Sequence, residues 1–150
     1  MHLLCRIHAQ RSRSRGFSLI ELLIVMALIG IISAFVVPQL ITAFERSRQR
    51  RTLSDMRAIA GANGTYRVDF GDYATDLADL EPDFMSPVPP GDGWGYAWSY
   101  QSNGISYSLT SSGRDGASGP AAPLPWYDEP FEADMVLQNG AFTQAPTHQE

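Results

Sequence analysis

The chain has 150 residues, room for one modest domain beside a membrane segment. Eleven basic residues, all Arg, face sixteen acids, for a formal net charge of −5, which excludes a general nucleic-acid binder needing a basic surface. The three His (His2, His8, His148) and the single Cys5 form no metal cluster or Ser-His pair, and no phosphate-binding or dinucleotide fingerprint appears, so the chain carries no recognisable enzyme scaffold.

The first element is a basic leader followed by an apolar run. Arg6, Arg11, Arg13 and Arg15 precede Gly16, and Phe17 to Val37 carries one charge, Glu21. About 20 apolar residues span a bilayer. An ordinary secretory signal has a 7–15 residue apolar core ending in small residues. This core is longer, and no A-x-A site follows it. On length and charge alone, a plain uncleaved signal anchor fits equally well. An acid in a membrane helix costs roughly 3 kcal/mol at the centre and usually marks function. Arg residues without acids before the span place the N-terminus in the cytoplasm. A second basic group, Arg46, Arg48, Arg50 and Arg51, weakens that bias, but the short leader cannot hold a translocated domain.

The stretch Arg13-Ser14-Arg15-Gly16-Phe17-Ser18-Leu19-Ile20-Glu21 resembles the class III signal of type IV pilins and type II secretion pseudopilins. That resemblance implies cleavage between Gly16 and Phe17 by a prepilin peptidase, methylation of the Phe17 amine, and polymerisation through the N-terminal helix with Glu21 as an assembly residue. Cleavage would leave seven Arg against sixteen acids, a net charge of −9, and no cysteine. Many type IV pilins close a C-terminal loop with a disulfide. Without one, a metal ion is a standard substitute in a small domain.

Within the span, Ala27, Gly30 and Ala34 form a small-residue strip that allows close helix approach. Pro38 removes a donor and crowds the Ala34 carbonyl, so a kink or local opening is expected between Gly30 and Pro38. Pilins carry Gly and Pro at matching places, and the resemblance makes Gly30 and Pro38 assembly residues. Beyond the span, Phe44, Leu53, Met56, Ala60, Asn63, Tyr66 and Phe70 recur every three to four residues. One helix from Phe17 to about Val68 is expected. Its second half lays an apolar stripe on a domain, with Arg51 and Asp55 paired at i,i+4. The Arg cluster reads as a solvated face, a lipid-headgroup contact, or a partner for acids of a neighbouring subunit.

Gly71 caps the helix, a short helical turn follows at Asp76 to Leu80, and Ser86 to Gly91 is a Pro-stiffened connector. A hairpin follows: Tyr96, Trp98 and Tyr100 alternate on one strand, Ile105, Tyr107 and Leu109 on the next. Asn103-Gly104 between them predicts a two-residue type I′ turn. That turn pairs Tyr100 with Tyr107 and Trp98 with Leu109. The aromatic face reads as core, with a carbohydrate-binding patch as the alternative. Asp92-Gly93-Trp94-Gly95 resembles a motif of the major pseudopilin of type II secretion.

The last constellation is Ser111-Ser112-Gly113-Arg114-Asp115-Gly116, with Glu132-Ala133-Asp134 downstream. Hard cations take oxygens from carboxylates and backbone carbonyls, both of which such a loop offers. In major pseudopilins a Gly-x-Asp-Gly loop followed by acids binds calcium. By position, the implied ligands are the Ser112 carbonyl, Asp115, the Ala117 carbonyl and Asp134. Two departures stand out: Ala133-Asp134 replaces the usual pair of acids, and a Pro-rich insertion lengthens the link. Asp128, Glu129 or Glu132 are substitute ligands.

The expected fold is α+β and pilin-like, with a long N-terminal transmembrane helix packed on a small antiparallel sheet and a C-terminal loop. Residues 1–16 form the leader, 17–44 the membrane and assembly half of the helix, and 45–150 a periplasmic domain. The resemblance implies a structural filament subunit of a type II secretion system in the bacterial inner membrane. Its implied partners are other copies of itself, prepilin peptidase, minor pseudopilins, a platform protein and an assembly ATPase. A type IV pilus or competence pilin, and a non-polymerising calcium-binding module, are the alternatives.

Overall fold

The computed structural model describes residues 16–119 and 131–146. The leader arginines, the Pro-rich insertion, Asp128 and Glu129 lie outside the described residues. Helix α1 runs Leu19–Phe70, followed by a 3-10 turn at Leu77–Leu80. Four strands then form one antiparallel sheet in sequential order: β1 Ser99–Ser102, β2 Tyr107–Ser111, β3 Met135–Gln138 and β4 Ala141–Gln144. This is the expected α+β, pilin-like architecture. The chain divides into two compact units, Met1–Gln39 and Leu40–Glu150.

In the first unit, every large apolar side chain from Phe17 to Val37 is exposed. Such a surface is stable only in an apolar medium or against another chain. The α-helix continues without interruption through Pro38, so the opening expected near it is absent. Pro38 removes one backbone donor and crowds the preceding turn, but the turns on both sides keep the helix continuous.

In the second unit, α1 buries Leu53, Met56, Ile59 and Ala62 at helical spacing. They meet Tyr73, Ala74 and Leu80 from the connecting segment, and Tyr107, Leu109, Met135 and Leu137 from β2 and β3. Burying each large aliphatic side chain contributes about 1.5–3 kcal/mol. The stripe shifts relative to expectation: Phe44 and Phe70 are exposed, while Thr52 and Ile59 are fully buried. Gly71 closes the helix with φ 89° and donates to the Arg67 carbonyl at 2.8 Å. Asp76 caps the 3-10 turn through a reciprocal capping box with Asp79. The Asp79 carboxyl is held below its ordinary pKa by backbone donation from Asp76 and the Thr75 hydroxyl.

The first hairpin forms in a different register. Ser102 pairs with Tyr107 and Tyr100 with Leu109, so the loop has four residues rather than two. Tyr100 and Tyr107, and Trp98 and Leu109, are therefore not directly opposite, although the two Tyr rings still meet diagonally with centroids 5.9 Å apart. Asn103 is the cause. Its Oδ1 accepts from the backbone N–H groups of Ile105 and Ser106, at 3.0 and 2.8 Å, and its own N–H donates to the Ser106 carbonyl. That local network competes with a two-residue turn. The Gly104 carbonyl also accepts from Tyr73 N–H at 2.7 Å, tethering the loop to the segment after α1. The slip is two residues, so Tyr107 and Leu109 still face the core, while Ile105 becomes exposed. The two-residue turn occurs at the second hairpin instead. Asn139 and Gly140 both adopt positive φ, 50° and 86°, between paired Gln138 and Ala141.

Candidate assembly and ion-binding sites

The N-terminal site is built by the start of α1. The Ser18 carbonyl accepts from Glu21 and Leu22, opening the helix with Glu21 in its first turn. A carboxylate there complements the positive end of the helix dipole. Gly16 and Phe17 precede the first turn and are exposed. Gly30 has open space where a Cβ would stand, consistent with a surface another helix can approach closely. Among the described residues, α1 is the one helix long and apolar enough to cross a membrane.

The second site lies in the C-terminal part of the globular unit. Ser111 ends β2 and Asp134 immediately precedes β3, so the sheet brings the two ends of the loop together. Ser111 pairs with Met135 in the ladder. Gly113, at φ 65°, turns the chain against the Phe131 and Ala133 carbonyls, where a Cβ would come within 2.8–3.0 Å. Arg114 N–H donates to the Phe131 carbonyl at 2.9 Å, and its guanidinium pairs with Glu132. Glu132 is thus committed to a cation rather than offered as a spare ligand.

Asp134 is 6% exposed. Its Oδ2 accepts from Gly119 N–H at 3.1 Å, while its buried Oδ1 has no hydrogen-bond partner. Burial raises its pKa, and the charge of Asp115 raises it further. Asp115 itself is exposed and accepts from Ala117 N–H at 3.1 Å. An unpartnered, buried carboxylate oxygen within the field of a second carboxylate is an unfavourable arrangement that a cation would relieve. Among the described residues no group of three or more His, Cys, Asp and Glu gathers, so within that part of the chain backbone carbonyls are the further oxygens on offer. Ser112 and Ala117, which the sequence offered for that role, lie on the same loop. The residues present fit a hard cation.

Residues 11–37 match the prokaryotic N-terminal methylation motif. The chain is 30% identical over 125 residues to the type II secretion system core protein G of Escherichia coli K12, covering 71% of this chain and 86% of that protein. It belongs to the core protein G family. Its relatives of the same name in Pseudomonas aeruginosa and Vibrio cholerae are 29% and 27% identical, over 79% and 80% of this chain and 99% and 97% of theirs. No solved structure matches the chain significantly. This chain is therefore a major pseudopilin, a structural component of type II secretion, and the motif together with the exposed apolar helix gives it a membrane anchor.

Sequence reasoning missed β3 and β4. The signal was present in Asn139-Gly140, a hairpin dipeptide flanked by Met135–Gln138 and Ala141–Gln144. It also missed the Arg114–Glu132 pair, which no spacing rule announces across a long insertion.

Proposed function

We propose that this pseudopilin works by mechanical assembly, not by catalysis. The carrying observation is one acid, Glu21, in the first turn of a helix whose apolar surface is otherwise exposed along its membrane-length segment. A prepilin peptidase cuts after Gly16 and the Phe17 amine is methylated. The chain waits in the inner membrane, N-terminus in the cytoplasm and globular unit in the periplasm. On assembly the Glu21 carboxylate meets the Phe17 amine of an adjacent copy, which offsets the desolvation each charge bears alone. Gly30 and Pro38 adapt the helix to its neighbours. A platform protein and an assembly ATPase drive extraction, and minor pseudopilins start the filament. The relatives, each a type II secretion system core protein G, favour secretion over a type IV pilus.

A calcium ion, in the same reading, organises the C-terminal loop through the Ser112 and Ala117 carbonyls, Asp115 and Asp134. When bound, it supplies the positive charge that the unpartnered Asp134 oxygen lacks.

The test is Glu21→Ala in a cell carrying the whole secretion machine. Membrane fractionation should show normal insertion, and cross-linking should show loss of filaments. Wild-type filament yield from Glu21→Ala would overturn the pairing. Intact-mass analysis should give a chain beginning at N-methyl-Phe17, and a product retaining Cys5 would reject the processing step.

A further inference from the structure

The arginines of this acidic protein are unevenly placed. Of the seven that follow Gly16, four lie within the six residues Arg46 to Arg51. The other three are also exposed but scattered, each against a different part of the globular unit. Arg57 lies over the Phe142 ring, Arg67 donates to the Tyr73 hydroxyl at 2.8 Å, and Arg114 pairs with Glu132. The four clustered arginines are all exposed. The acids beside them are not displayed to the same degree. The Arg48 side chain is 53% exposed and its partner Glu45 14%; the Arg51 side chain is 72% exposed and its partner Asp55 23%. Glu45 is also held by Trp94, whose Nε1 donates to it at 2.6 Å. Both ion pairs are loose, at 3.6 Å, and exposed pairs of that kind exchange readily. The net effect is a basic belt on a protein that is otherwise acidic.

The belt begins where the apolar surface ends. Leu40, Ile41 and Phe44 continue the exposed apolar side chains beyond the span, and Arg46 follows two residues later. Nine residues of helix cover about 14 Å, so connectivity alone keeps Arg46 near the end of the membrane segment. Arg51 additionally lines a shallow concavity of about 340 Å³ with Pro90–Gly95.

We infer that Arg46, Arg48, Arg50 and Arg51 form a seat for the headgroups of anionic phospholipids in the leaflet where the span emerges. The seat holds the unassembled subunit at a fixed depth. It rests on the membrane placement of Phe17–Val37. Guanidinium groups bind phosphate through paired N–H donors, and each basic residue near an anionic surface adds to the attraction. The Arg residues of the leader act on the opposite leaflet and are common to every variant compared below.

The test reconstitutes the full chain in nanodiscs of phosphatidylcholine with a minority of phosphatidylglycerol and counts retained lipids by native mass spectrometry. The parent chain should retain phosphatidylglycerol roughly threefold above its bulk share. The triple variant Arg48→Gln, Arg50→Gln, Arg51→Gln should lose most of that enrichment, and Arg114→Gln should keep it. Enrichment that survives the triple variant, or that falls equally in Arg114→Gln, would overturn the seat. Flotation with vesicles separates the underlying reading. A parent chain that floats without enrichment overturns the seat alone, while one that fails to float overturns the membrane placement and the seat with it.

Discussion

The Ser111 hydroxyl donates to Asp92 Oδ2 at 2.6 Å, and both residues are buried. This bond joins the Asp92-Gly93-Trp94-Gly95 loop to the last residue of β2, one position before the proposed ion loop. Asp92 Oδ1 accepts from the N–H groups of Trp94 and Tyr96, at 3.0 and 2.9 Å. Gly93 then lies so close to α1 that a Cβ would overlap the Arg48 carbonyl, and its N–H donates to Thr52 Oγ1 at 2.9 Å. One carboxylate thereby fixes helix, loop and sheet together.

Asp92→Ala should therefore be far more damaging than its loop position suggests. It strands two backbone donors and a buried hydroxyl, with an expected loss of about 2–4 kcal/mol. Ser111→Ala removes one partner and should cost about 1–2 kcal/mol. Urea unfolding of the two variants ranks them, and equal losses would contradict the role given to Asp92.

A second buried network ties α1 to β1. Asn63 Nδ2 donates to the Tyr100 hydroxyl at 2.8 Å, that hydroxyl donates to the Ala74 carbonyl at 2.6 Å, and Ala74 N–H donates to Asn63 Oδ1 at 3.0 Å. Tyr100→Phe should cost about 1–3 kcal/mol, because it leaves Asn63 and Ala74 groups unsatisfied. A double-mutant cycle with Asn63→Ala should show coupling of about 0.5–3 kcal/mol. Additive losses would mean the three groups act separately.

Calcium should stabilise the globular unit. At a hundredfold excess over Kd the gain is about 2.7 kcal/mol. Asp115→Ala should abolish most of it, and magnesium should substitute poorly because it demands tighter octahedral geometry. Thermal unfolding of the full chain in detergent, with calcium and with chelator, reads this directly. Identical midpoints reject the site. A shift that persists in Asp115→Ala would move the ligands toward Asp128 and Glu129.

The pH dependence without calcium has a defined sign. Asp134 has its pKa raised in the fold, by burial first and then by Asp115. Its protonated form is the favoured one, so its contribution is full below the ordinary carboxylate pKa of about 4 and is lost as pH rises through the raised value. In chelator, Asp134→Asn should gain on the parent as pH rises from about 4 toward neutrality. The depressed pKa of Asp79 acts oppositely, stabilising above the ordinary value and failing only below it. A parent-minus-variant difference that stays flat with pH would show that Asp134 is not penalised when ionised.

The sequence by itself determined the features that depend on local chemistry. The membrane-length run with Glu21, the single long helix α1, the Gly71 cap and the Asp76–Leu80 turn are each written in a few adjacent residues and lie where they were expected, although the opening expected near Pro38 did not form. The family resemblance had the same basis in Gly16-Phe17. Tertiary structure decided what depends on competition between partners. Asn103 chose its own Asx network over a two-residue turn, because three nearby donors could satisfy one side-chain oxygen. The tight turn went to Asn139-Gly140, where both residues took positive φ. Asp134 became a buried carboxylate with one unpartnered oxygen only because β2 and β3 pair at Ser111 and Met135 and draw the ends of a long insertion together. No spacing along the chain encodes that meeting; the hydrogen-bond ladder between two strands does.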